Sequence, residues 1–261
     1  MNKPLAFLLR GLGLNRPPPK TRLSRILRGG ERTLMVFGLL YASLHVFPQV
    51  LFAHSVSADG ITLYSRTPLP PEAVECAKRA AALIQQSELA VPGRRERVFV
   101  CNSPGLFRLF KPTAGGFAYS VPLTDHVFIA EADFTADLTR WPAPKYNTRS
   151  LSSVMAHEIA HGLIRHRLGL MRGIRLAGWV NEGYADYVGR ESSFPEEEGL
   201  GRFASGEEHP SPSYRYFKYR QMVRYLAENQ RLSFAQIVAR GSDSASVEAE
   251  ARQELQSQTL Q

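Results

Sequence analysis

The longest stretch without a polar face runs from Ser150 to Gly169. Leu151, Val154, Met155, Ile159, Leu163, Ile164 and Leu168 place apolar groups nearly all round a helix, and such a helix belongs inside a protein. Thr148 or Ser150 suits its N-cap. Arg165, His166 and Arg167 suit the negative end of its dipole, and Gly169 its C-cap. Upstream, Gly60–Tyr64 reads as a short strand bounded by Asp59-Gly60 and by Pro68, Pro70 and Pro71. Helical spacing of Val74, Ala77, Ala81 and Ile84 predicts a helix over 71–89, ended by Pro92-Gly93. Arg97–Cys101 reads as a strand, and Ser103-Pro104 opens a short helix through Phe110. His126–Ala130 is a further apolar strand, either a core strand or an edge free to pair with an extended substrate. The polar, proline-containing stretch from Asp133 to Thr148 reads as a surface loop.

Downstream, a second small-residue helix covers Trp179–Tyr187, followed by a long polar loop, Glu191–Pro212, placed to act as a lid. Helices are expected again over Ser213–Ala227 and Leu232–Arg240. Beyond Gly241 the chain turns Ser-, Glu- and Gln-rich, as a frayed helix or disordered tail does. Strands first and helices after, with no internal repeat, make 55–240 one α+β domain: a small mixed sheet followed by helices around the Ser150–Gly169 helix.

The region before this domain is different. Thr33–Ala53 is 21 residues without a formal charge, and about 20 helical residues match a hydrocarbon core of roughly 30 Å. Three readings compete: a transmembrane signal anchor, a cleaved signal peptide with Val56-Ser57-Ala58 as the small-residue site, or a buried helix. The long basic flank favours the anchor, while Pro48 and Gln49 weaken a full span. Eight of the basic residues and a single acid, Glu31, lie in 1–32, which therefore carries +7 of the total +8. A cytoplasmic basic tail over 1–32, an anchor over 33–53 in the cell inner membrane and a domain facing the periplasm or exterior follow from that asymmetry. It also removes nucleic acid as a partner, because the remaining 229 residues carry only +1. Cys76 and Cys101 form neither a CxxC nor a Cys/His cluster, so they are one disulfide or two buried thiols.

The polar exceptions inside the apolar helix carry the chemistry. His157 and His161, four apart, lie one above the other on one face and reach a single metal ion, with Glu158 flanking them about 100° round the helix. Catalytic zinc takes three protein ligands and keeps one open position. Trp179-Val-Asn-Glu182-Gly-Tyr-Ala-Asp186 offers the third: Glu182 can ligate, and Asp186, on the same face, can accept the Nδ1–H of a ligand histidine. Gly183 and Ala185 let this helix approach the first one closely. The plainer reading, two core histidines satisfied by backbone carbonyls, leaves the downstream Asn-Glu-Gly-x-Ala-Asp unaccounted for.

Together His157-Glu-Ile-Ala-His161 and Trp-Val-Asn-Glu182-Gly-Tyr-Ala resemble the gluzincin metallopeptidases, the clan with an HExxH helix and a glutamate third ligand. The second motif looks like that of the aminopeptidase N-like branch, and the Glu182–Asp186 spacing is similar to the ExxxD of thermolysin-like enzymes. The resemblance is specific over about 150–190. It implies a zincin-like domain, Zn2+ on His157, His161 and Glu182, Glu158 as general base, and a peptide or protein substrate. It further implies a Tyr or His on a later helix as oxyanion donor. Tyr214, Tyr216 and Tyr219 are candidates, and Tyr219 shares a face with Met222, Val223 and Leu226. The competing expectation is a catalytically inactive binding or assembly module at the membrane.

Overall fold

The computed structural model describes residues 21–113, 115–143 and 145–259. The chain divides into two units, Met1–Val50 and Leu51–Gln261.

In the first unit, helix α1 spans Arg22–Val46, with Thr21 and Ser24 forming a capping box. Residues 1–20 of the expected basic tail lie outside the described residues. The transmembrane span expected over Thr33–Ala53 is not formed. Within α1 the uncharged stretch runs only from Thr33 to Val46, after which Pro48 opens a separate 3-10 turn, Pro48–Leu51. Proline lacks the N–H that would continue the helix. Those 14 residues rise about 21 Å, well short of a hydrocarbon core of about 30 Å. The end of the stretch is used elsewhere: Phe52 packs 5.1 Å from Phe99 in the second unit. Among the described residues no helix is long and apolar enough to cross a membrane.

The second unit is mixed α+β. Five strands, β1 (His54–Ala58), β2 (Ile61–Ser65), β3 (Glu96–Val100), β4 (Ala118–Ser120) and β5 (Val127–Ile129), form one sheet in the order β1-β2-β3-β5-β4. The outer pairs are antiparallel and the inner ones parallel. Period-two alternation sorts the side chains. Ile61, Leu63, Val98, Val100, Val127 and Ile129 enter the main core, whereas Tyr64, Phe99 and Phe128 stack in register on the opposite face under Phe110. Helix α2 (Glu72–Gln85) covers the core face through Ala73, Cys76, Ala77, Ala80 and Ala81. Helix α3 (Pro104–Phe110), capped by Ser103, carries Phe110 to the other face. Strand β5 is therefore interior and the sheet's edge beside it is β4, so the substrate-pairing role weighed for His126–Ala130 has no free edge there. Val56-Ser57-Ala58 is built into β1, paired with β2.

A two-stranded hairpin, β6 (Leu138–Arg140) and β7 (Thr148–Ser150), replaces the loop expected over Asp133–Thr148. It leads directly into α4 (Leu151–Leu168), followed by α5 (Leu170–Ile174), α6 (Gly178–Gly189), α7 (Glu196–Ser205), α8 (Pro212–Arg224), α9 (Phe234–Ala239) and α10 (Ser244–Thr259). The acidic run in the expected 191–212 loop is the first turn of α7, where Glu196, Glu197 and Glu198 meet the positive end of the helix dipole. The expected polar tail is helix α10, held by buried Val247 and Ala251 and by Arg252 Nε donating to the Phe203 carbonyl. Cys76 and Cys101 are both free and buried, and burial pushes each thiol up to about 12.

Candidate metal centre

From Leu151 to Ile164 every residue of α4 is buried except Glu158. Its first turn is anchored from outside: Asp137 accepts from the Ser152 N–H at 2.9 Å and from its hydroxyl at 2.7 Å, and Glu191 accepts from the Ser150 N–H at 2.9 Å. Ser150 occupies the N-cap position but makes no side-chain cap bond. Helix α6 lies against α4 at Gly189, where an added Cβ would fall 2.9 Å from the Ser153 carbonyl oxygen. Gly183, expected to face α4, serves the other side: its Cβ would fall 2.5 Å from the Tyr219 carbonyl oxygen of α8.

These contacts set three donor atoms face to face. His157 Nε2 and His161 Nε2 are 3.2 Å apart, and Glu182 Oε2 lies 3.5 Å from the first and 3.7 Å from the second. Donors about 2.05 Å from a tetrahedral zinc ion lie about 3.3 Å from one another, so this triangle has the size of one face of such a site. The ring orientations agree. His157 Nδ1–H donates to Asp186 Oδ1 at 2.7 Å and His161 Nδ1–H to Asn181 Oδ1 at 3.1 Å, which turns both Nε2 atoms toward Glu182. Histidine ligands are held in this way by an acceptor behind the ring. Two nitrogens and one carboxylate oxygen make a donor set suited to zinc, and the residues fit it.

Behind the ligands, Arg149 of β7 meets Asp186 Oδ1 at 3.0 Å and donates to the Glu191 carbonyl at 2.8 Å. Burial works against the charge of Asp186, but Arg149 and His157 outweigh it and hold the carboxyl below its ordinary range. Burial likewise opposes a charged His157, yet Asp186 and Glu182 lift its pKa to about 10. For Glu182 burial is outweighed by His161 and His157, which lower it.

The triangle opens into a cleft of about 1050 Å³. One wall is the outer edge of β4 with Phe117, the floor is α4 with Glu158, and the far side is the β6–β7 turn and the segment His209–Ser213. Tyr216 also lines it; Tyr219 does not, and instead packs against the main core. The Tyr216 hydroxyl is raised by burial and by the charge of Glu182. Lys111 enters from beyond α3, its ammonium donating to the Gly115 carbonyl and its pKa lowered by burial while Glu158 and Glu182 pull it up.

Of the residues singled out in the sequence, His157, His161, Glu182 and Asp186 thus come together, and Glu158 faces the same cleft. Asn181, Arg149 and Lys111 were not singled out. Asn181 stands beside Glu182 in the motif and is the one of the three with a local signal. Arg149 and Lys111 reach the site through tertiary packing. Comparison of the chain with protein-family models, with curated proteins and with solved structures finds no match, so the geometry alone carries the reading that follows.

Proposed function

We propose that the chain is a zinc-dependent peptidase of the gluzincin type, with His157, His161 and Glu182 as metal ligands and Glu158 as general base. The observation that carries it is the position of Glu158. It is the only residue from Leu151 to Ile164 that is not buried, and it faces the cleft into which the three donors converge. A purely structural metal site has no use for a half-buried carboxylate beside it that faces the cleft.

When bound, zinc supplies Lewis acidity, polarising a carbonyl and lowering the pKa of water to around 7. The chain's own groups do the rest. The free edge of β4 pairs with an extended substrate and lays its backbone along the cleft. Glu158 takes the proton of the attacking water and returns it to the leaving amine. Tyr216 donates its hydroxyl to the developing oxyanion, a role its place in the cleft supports better than that of Tyr219. Asp186 and Asn181 hold the two imidazoles in the tautomer that presents Nε2.

Metal analysis of the purified chain, followed by a peptide-library assay of wild type and Glu158→Gln, tests this. The wild type is expected to hold one zinc and cleave, and Glu158→Gln to hold zinc and lose about 10²–10⁴ in rate. A chain that cleaves nothing, whether it holds zinc or not, would instead be an inactive binding or assembly module.

A further inference from the structure

Helix α5 (Leu170–Ile174) joins α4 to α6, the two helices that hold the metal donors, and its outer face is unlike the rest of the second unit. Met171 and Ile174 are 58 % and 55 % exposed. Arg167, Arg172 and Arg175 surround them, all exposed, and among the described residues none of the three side chains takes part in an ion pair or hydrogen bond. No acidic residue occurs from Arg165 to Gly178. Beside α5 runs a groove of about 490 Å³ with Leu168, Leu176 and Val238 in its lining and Arg172 and Arg175 also lining it. Asp243, next to the groove residue Ser242, is held by Arg240 at 3.2 Å.

The exposure is built in. A Cβ at Gly173 would fall 2.9 Å from Arg165 Cα, so α5 is pressed by its glycine onto the last turn of α4. With that side fixed inward, Met171 and Ile174 have no room to turn under and bury themselves.

We infer that this face docks on an anionic lipid bilayer, with Met171 and Ile174 entering the headgroup–acyl boundary and Arg167, Arg172 and Arg175 meeting lipid phosphates. Apolar side chains ringed by cations are what an interfacial site presents, and guanidinium pairs with phosphate in a bidentate fork. Charge decides against a second copy as the occupant, because a two-fold contact would set these arginines against themselves. The first unit independently carries the same chemistry. On α1, Leu23, Ile26, Leu27 and Leu34 share one stripe while Arg25, Arg28 and Arg32 lie on the opposite one, and the four apolar side chains are 63–74 % exposed. Stable attachment to a membrane surface takes two such signals. The inference does not depend on peptidase activity.

The test uses the full chain carrying Ile174→Cys, labelled with an environment-sensitive fluorophore; Cys76 and Cys101 are buried and stay unlabelled. Vesicles of phosphatidylcholine with phosphatidylglycerol are expected to shift the label's emission to the blue at low salt. Phosphatidylcholine alone should not, and added salt should reverse the shift. At about 1 kcal/mol per arginine near an anionic surface, Arg172→Gln/Arg175→Gln should weaken the lipid dependence about 30-fold while circular dichroism and zinc content stay unchanged. The inference is overturned if the label stays in water on every vesicle, including vesicles that carry the protein down through α1. It is equally overturned if neutral and anionic vesicles act alike, if the shift follows protein concentration without lipid, or if only an acidic polypeptide produces it.

Discussion

Arg149 and Asp186 form an ion pair at 3.0 Å with side chains 8 % and 1 % exposed, and Asp186 is at the same time the acceptor for His157. The pair links the hairpin to α6 behind the metal donors. Arg149→Met strips the buried Asp186 of one of its two partners and leaves it His157 alone. Removing one partner of such a pair costs about 3–5 kcal/mol, and urea unfolding of the metal-free protein is expected to show a loss of that size. Chelator competition should show zinc affinity falling by about 10–100-fold. A variant as stable and as tightly metallated as wild type would mean that the pair does not hold the site.

If His157 ligates zinc as proposed, protons and metal compete for it. Its pKa of about 10 lies above the ordinary 6.5, so its contribution to the metal-free fold is complete below 6.5 and is lost as pH rises through 10. Asp186, held low, contributes above 3.8 and loses its contribution as pH falls. Metal-free protein is therefore expected to lose thermal stability between pH 7 and 10, whereas the zinc-loaded form, which needs His157 neutral, should lose less. At pH 7 zinc binding should release a proton, seen by calorimetry as a heat that varies with the ionisation enthalpy of the buffer. A heat independent of buffer would contradict this.

Two glycines set the spacing of the helices. Gly183→Ala puts a methyl 2.5 Å from the Tyr219 carbonyl, and Gly189→Ala one 2.9 Å from that of Ser153, both against backbone that cannot swing aside. Overpacking of this kind costs about 1–3 kcal/mol, to be read from thermal unfolding. Because Gly189 faces α4, its substitution should also weaken zinc binding; the Gly183 variant should do so less.

The two tyrosines separate by kinetics. If Tyr216 donates to the oxyanion, Tyr216→Phe should lower kcat about 10²–10³-fold with little change in KM. Tyr219→Phe, away from the cleft, should stay near wild type. The reverse ranking would return the role to Tyr219.

Legibility followed the length of the pattern. Helix α4 has apolar residues nearly all round it from Leu151 to Ile164 and could be read directly, as could the spacing that puts Glu182 above Asp186. Strands β4, β6 and β7 have three residues each, too few for an alternation to register, and β4 took the edge expected of His126–Ala130. In α1 the apolar count was correct, but composition does not see that Pro48 stops the helix and that Phe52 belongs to another core. Arg149 and Asp137 are single residues whose partners, Asp186 and Ser152, lie 37 and 15 positions away, so no local pattern marks them. The first turn of α7 could have been found: Pro195, the three glutamates after it and Gly206 are the punctuation of a helix.

The burial of α4 has a kinetic consequence. Its backbone sits among the last parts of the fold to open, yet its two imidazoles meet Glu182 at the wall of an open cleft. Ion exchange therefore need not wait for unfolding. A chelator small enough to enter should strip the ion at a rate set by its own concentration, and the emptied scaffold should accept a new ion without refolding.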